Sequence, residues 1–221
     1  RVGDIKNNVM KNRKLLTETL GIHLNRLITC EQVHGDKVTD IKKRYDNKSV
    51  WKTKNEFSLT DGLMTGEKNL FLSIMTADCI PLALISLKRD FIAALHVGRK
   101  GLEKGIIKKA MKNTKEKYGI ELESVIVFAG PSIGFCCYEV QGDVLEKLKK
   151  IAKDYLKKNI EKRYFFDLKS FCRKQLIESG IRKENIWMSE LCTSCKEEDF
   201  FSFRRDAGKT GRQGLLVGII E

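Results

Sequence analysis

No run of about 20 apolar residues and no basic start followed by a short apolar core occurs in this sequence, which excludes a membrane-spanning helix and a secretory leader within it. Repeats, low-complexity tracts and a recognisable linker are also absent; 221 residues without a divider read as one large domain. Neither a Walker loop nor a dinucleotide fingerprint is present, so the GPSIG stretch after a strand means only a tight loop where backbone approaches a neighbour closely. Seven cysteines is an odd number, and with no leader the expectation is a reduced, soluble, cytoplasmic protein. C-x-x-C occurs once, at Cys192 and Cys195, with no second copy to complete a four-cysteine metal site. The vicinal pair Cys136-Cys137 does not readily complete it, because adjacent residues rarely ligate one metal, so packing is the expected role of these four and of Cys172.

The formal net charge is +13, but the lysines are spread over helix faces such as KKAMKNTKEKYG and EKLKKIAKDYLKK with acids between them. That is the pattern of a solvated surface rather than of a nucleic-acid groove. Periodicity predicts a helix through VMKNRKLLTETL, capped by Asn7 or Asn8 and ending at Gly21, with Val9, Leu16 and Leu20 on one face. Arg13 falls on that same face, so it must pair with a carboxylate in the core or face a cavity. A strand pair, or a strand running into a turn at Gly35, is expected around RLITCEQVHGDKV, with a further turn at Thr60-Asp61-Gly62. Strands follow at FIAALHVG and VIVFAG, and helices over about 102–117, from Val140 to Tyr155, and from an Asp167 cap to Gly180. Short strands at IWMS, FFSFRRD and LLVGII end the chain. Strands with and without helices between them point to an α+β or mixed α/β domain.

The run FLSIMTADCIPLALISL is interrupted where a buried strand wants only apolar side chains, by Asp78 and Cys79. His34 in QVHG and His96 in LHVG also sit at strand ends beside glycine turns. His, Cys and His are ligands that zinc accepts, and three of them leave a fourth position open. The separations of 45 and 17 residues match no short zinc pattern, so buried structural residues and a Cys79/His96 nucleophilic pair stand as alternatives. Asp78 could orient a ligand histidine, accept a substrate proton, or simply occupy a turn. Arg204, Arg205, Lys209 and Arg212 among the glycines of RRDAGKTGRQG suit either an anion site or a solvated hairpin.

In order, QVHG, TDGLMT, TADCIPL, HVGRKG, GPSIGFCCYEV, FFDL and FFSFRRDAGKTGRQG resemble the YfiH/laccase-domain family, also called multicopper polyphenol oxidase-like, which includes FAMIN. The resemblance spans essentially the whole chain. It implies a single α+β domain over 1–221, a mixed β-sandwich flanked by helices, without the family's glycine-rich N-terminal segment. It also implies zinc held by His34, Cys79 and His96, with Cys79, Asp78 and His96 at the chemistry. Arg13 of the Asn12-Arg13 pair and Gln32 of QVHG are then expected to bind substrate. The implied reactions are phosphorolysis of adenosine, inosine and methylthioadenosine and deamination of adenosine, with purine nucleosides and phosphate as partners and no membrane or nucleic acid. Where family members carry His-Ala-Gly-Trp-Arg-Gly, this chain has Arg99 and Lys100, so a stacking ring and a bidentate arginine are lost from that loop.

The rival readings are a cysteine hydrolase acting on amide bonds, as in cell-wall precursors, and a non-catalytic nucleic-acid-binding domain. Copper-based phenol oxidation fares worse, because three histidines cannot furnish a multicopper cluster.

Overall fold

A computed structural model describes residues 3–42 and 57–220. In chain order the elements are α1 (Lys6–Thr19), β1 (Leu27–Thr29), β2 (Val38–Asp40), β3 (Gly62–Thr65), β4 (Phe71–Thr76), β5 (Ile80–Ser86), β6 (Phe91–Val97), α2 (Arg99–Lys104), α3 (Ile106–Tyr118), β7 (Val125–Ala129), β8 (Glu139–Val140), α4 (Gly142–Ile151), β9 (Leu156–Lys158), β10 (Tyr164–Phe166), α5 (Leu168–Glu178), β11 (Ile186–Met188) and β12 (Gln213–Gly218). A mixed six-stranded sheet runs β11-β7-β5-β6-β3-β2, a three-stranded sheet β1-β4-β12, and a small antiparallel sheet β8-β10-β9.

The central strands β5 and β6 are apolar almost throughout because both faces of their sheet are covered. Met64, Leu82, Leu84, Ala93 and Leu95 point to one side, against Ile106, Ile107, Ala110 and Met111 of α3 and Phe171, Cys172 and Leu176 of α5. Leu63, Ile92 and Ala94 alternate to the other side and pack on Ile28, Leu72 and Ile74 of the smaller sheet. The result is helices on sheet on sheet, as the sandwich reading expects.

FLSIMTADCIPLALISL is therefore not one strand but two in different sheets, β4 pairing with β1 and β12 and β5 with β6 and β7. Ala77, Asp78 and Cys79 make the corner between the two layers. Asp78 adopts φ +83°, a left-handed conformation that Asp tolerates better than most residues.

Several local expectations are corrected. The helix over 102–117 is broken at Gly105, whose φ of +88° ends α2, and α3 ends at the left-handed Gly119. In α1 the cap is not Asn7 or Asn8; Asp4 accepts a hydrogen bond from the Ile5 amide and the helix starts at Lys6. Its expected apolar face is largely uncovered, with Leu16 43% and Leu20 51% exposed, because α1 touches the fold chiefly through the turn at 24–26. The helix expected from Val140 to Tyr155 is only α4; Val140 belongs to β8 and Ile151 is exposed. FFSFRRD forms turns rather than a strand, since Arg205 saturates the carbonyls of Thr193 and Phe200 and the Asp206 carboxylate, folding the segment on itself. The Asp167 cap and the buried Cys172 are as expected.

Candidate metal and active site

Three corners of the fold converge. His34 lies in the turn after β1, itself at φ +59°; Cys79 ends the β4–β5 corner, and His96 is the penultimate residue of β6. One ligand atom from each lies within 4.8 Å of the others, and the two imidazole rings meet edge to face at 4.7 Å. Gly98 faces this cluster, and a side chain there would put a Cβ 2.8 Å from the Cys79 sulfur and 3.4 Å from His34. The glycine of HVG thus keeps the space open.

Asp61, fully buried, organises the set. Its carboxylate accepts from the His96 ring Nδ1 at 2.7 Å and from the amides of His34 at 2.9 Å and Gly35 at 2.6 Å. The Asp61 carbonyl also accepts from the His96 amide at 2.7 Å. One residue therefore fixes the ring of one histidine and the backbone of the other, leaving His96 Nε2 for a ligand. Burial opposes ionisation of Asp61, but hydrogen bonds from His96, Gly35 and Val33 outweigh it and hold the carboxyl below its usual range. Burial likewise works against charge on Cys79 and His96. Hydrogen bonds from His34 and His96 nevertheless bring Cys79 down to about 7, and those to Asp61 and Cys79 bring His96 up to about 9. An acidic thiol, two imidazoles and a carboxylate behind one of them make a donor set that suits a zinc ion.

Asp78, offered by the sequence as a partner for a ligand histidine, has its carboxylate engaged by other groups. Its Oδ1 accepts from Thr193 Oγ1 and its Oδ2 from the Arg204 amide, both at 2.7 Å. Gln32 pairs its amide with both backbone groups of Met75, at 2.7 and 2.9 Å. In the sequence Asp61 reads only as part of the Thr60-Asp61-Gly62 turn, and no sequence signal sets it apart.

His34, Cys79 and His96 line a cavity of about 1050 Å³. Lys6, Arg13, Arg99, Lys100, Arg204 and Arg212 also line it, against Glu31 and Asp78 as the acids among the described residues. The half-buried Arg13 of α1 is on this wall. Arg99 is held by the nearly buried Glu103, which Lys147 also contacts at 2.7 Å. Of the RRDAGKTGRQG cations, Arg204 and Arg212 reach the cavity, whereas Arg205 is tied to carbonyls and Asp206. Tyr138 and Phe203 add aromatic faces to the same walls, with the Arg204 guanidinium 5.2 Å from the Tyr138 ring.

A family model described as multi-copper polyphenol oxidoreductase laccase matches residues 1–220. The chain is 33% identical, over 98% of its length and 81% of the relative's, to a protein named purine nucleoside phosphorylase YlmD from Geobacillus stearothermophilus. It is 29% identical, over 96% of its length and 82% of the relative's, to one named adenosine deaminase RL5 from an unknown prokaryotic organism. The crystal structure of the hypothetical protein YfiH from Bacillus licheniformis superposes with a TM-score of 0.92 at 31% identity, covering 99% of this chain and 84% of that one. No described helix is long and apolar enough to cross a membrane. With nearly every residue inside one family model and the fold shared with YfiH, the chain belongs to the multi-copper polyphenol oxidoreductase laccase family, the YfiH/laccase-domain group that its ordered motifs resemble.

Proposed function

We propose that the chain is a zinc-dependent purine nucleoside enzyme that cleaves adenosine, inosine and methylthioadenosine with phosphate and also deaminates adenosine. The observation that carries this reading is the His34, Cys79 and His96 set opening onto a cavity whose walls are strongly cationic. The names of the relatives, purine nucleoside phosphorylase and adenosine deaminase, support it. Held by these three residues, zinc would supply a Lewis acid with an open coordination position.

In phosphorolysis a phosphate oxygen bonds to C1′ of the ribose as the glycosidic bond breaks, and its electron pair leaves with the purine. Arg13, Arg204 and Arg212 would neutralise and orient the phosphate, lowering the cost of bringing an anion to the sugar. Tyr138 and Phe203 would hold the base by stacking, and Gln32, bracing Met75, would form the wall beside it. Deamination needs C6 of adenine beside the same three residues. A water oxygen bonds to C6 as the bond to the amino nitrogen breaks, and the amino group leaves as ammonia, with the protons of the water and the base rearranged to give inosine. Asp78 takes a positioning part, fixing the Cys79 corner to the loops that carry Thr193 and Arg204, and His96 takes its orientation from Asp61.

One observation favours a second reading. The acidic Cys79 beside a basic His96 is also what a cysteine nucleophile requires. The two readings separate when the zinc-loaded chain is incubated with adenosine, with and without phosphate, and adenine, inosine and hypoxanthine are resolved. Adenine formed only with phosphate, together with loss of both metal and turnover in Cys79→Ser, is the expected result. Absence of all three products at full zinc occupancy overturns the reading.

A further inference from the structure

A second cluster lies outside the nucleoside site. We propose that Cys136, Cys137, Cys192 and Cys195 form a separate metal centre, a structural tetrathiolate zinc site that locks together the two loops behind the cavity wall. Their four sulfurs all lie within 4.8 Å of one another, with Cys195 at 3.6 Å from Cys136 and 3.4 Å from Cys137. Four sulfurs about 2.3 Å from a zinc ion at the corners of a tetrahedron stand about 3.8 Å apart. The two Cys195 separations are near that spacing and well beyond the roughly 2.05 Å of a disulfide, and every other pair lies within 4.8 Å.

The vicinal cysteines, which make the set improbable on paper, are brought into it by the turn at 135–137, where both sulfurs approach Cys195. Packing accounts for Cys192, which belongs to the core, and in part for Cys137, but not for the other two. Cys136 and Cys195 are exposed, unlike the buried Cys172 of the true core. The Gly134 amide donates to the Cys192 sulfur at 3.2 Å, as backbone amides do toward metal-bound thiolates. Gly134 has no room for a side chain, since its Cβ would lie 3.0 Å from the Cys136 sulfur and 3.2 Å from Cys192. Nearby, Lys169 is anchored on the carbonyls of Ser189 and Leu191, at 2.8 Å each, and its charge couples to Cys192 and Cys136. A cation there offsets the net double negative charge of zinc with four thiolates. All-sulfur tetrahedral sites select zinc or iron among common metals, and binding releases one proton for each thiol that starts protonated.

The centre acts at a distance on the nucleoside cavity. Ser132 bridges to Cys192, and the Thr193 amide donates to the Ser132 carbonyl at 3.1 Å. Thr193 then reaches Asp78, whose carbonyl receives the Ile133 amide at 2.9 Å. Ile133 and Tyr138, on either side of the paired cysteines, line the cavity. The metal clamps this wall and takes no part in turnover.

The test uses the reduced, metal-free chain titrated with Zn²⁺ alone against a chromophoric chelator. Wild type is expected to take up about two equivalents, Cys79→Ser about one, and the triple variant Cys79→Ser/Cys192→Ser/Cys195→Ser close to none. Because the triple variant could fail to fold, Co²⁺ is also added to Cys79→Ser itself, where intense thiolate-to-cobalt charge transfer with tetrahedral d–d bands is expected. Full retention of the remaining equivalent in the triple variant overturns the proposal. So does a Cys79→Ser chain that binds no zinc, or whose cobalt spectrum shows no sulfur ligation.

Discussion

Asp61 holds one carboxylate against the His96 ring and the amides that shape the His34 turn. Replacing it with Asn keeps the size but removes the charge and turns an acceptor into a donor toward groups that already donate. Zinc affinity in Asp61→Asn is expected to fall by about 10–100-fold with all three ligands intact, read by competition with a chelator; unchanged affinity would remove Asp61 from the site. The candidate ligands were legible in part: His34 and His96 stand at strand ends beside glycine turns and Cys79 interrupts an apolar run, while their union in one site came from the family resemblance. Their organiser was not, because TDG reads as a turn, and only the tertiary fold shows that its aspartate is buried with four donors aimed at it. The four-cysteine cluster was hidden for a related reason: sequence spacing does not show a loop after β7 meeting a loop after β11.

At the scale of elements, the corner between β4 and β5 carries the most information. An apolar run long enough for one strand divides between two sheets, and the division is made by Asp78 in a left-handed turn tied to Thr193 and Arg204. Asp78→Ala removes two hydrogen bonds to a nearly buried carboxylate, so it is expected to destabilise by about 3 kcal/mol in urea unfolding. Normal stability with abolished turnover would instead give Asp78 the proton-transfer role. Between α2 and α4, Glu103 joins Arg99 to Lys147. Burial opposes its charge, but the bonds from Lys147 and Arg99 win, and its carboxyl lies below the ordinary value near 4.5. A depressed acid contributes stability that is present above its unfolded value and is lost as pH falls through its lower folded value. Glu103→Gln should therefore be less stable than wild type at pH 7, with the gap closing below about pH 4.5. A gap that persists unchanged into acid, by urea unfolding across pH, would show that the ion pair contributes nothing.

For the molecule as a whole, the α+β class was readable from strands with and without helices between them, whereas the sandwich flanked by helices came from the family resemblance; the structure accounts for it by covering both faces of β5 and β6. The interruption of α2 and α3 at Gly105 was not, because a single glycine in a helical pattern is compatible with continuity. The formal charge of +13 resolves into two populations: lysines on helix faces, and a set of cations gathered around one cavity. The proposed function draws on the second, and Arg13 of α1 lines the cavity with it. The most direct measurement of the central claim is the initial rate of adenine release from adenosine as phosphate is varied, for wild type and Arg13→Ala at equal zinc content. A saturable phosphate dependence in wild type, with KM for phosphate raised at least about tenfold in a variant that melts nearly normally, is the predicted result. Adenine release independent of phosphate, or a variant that melts far below wild type yet keeps full phosphorolysis per folded molecule, would contradict it.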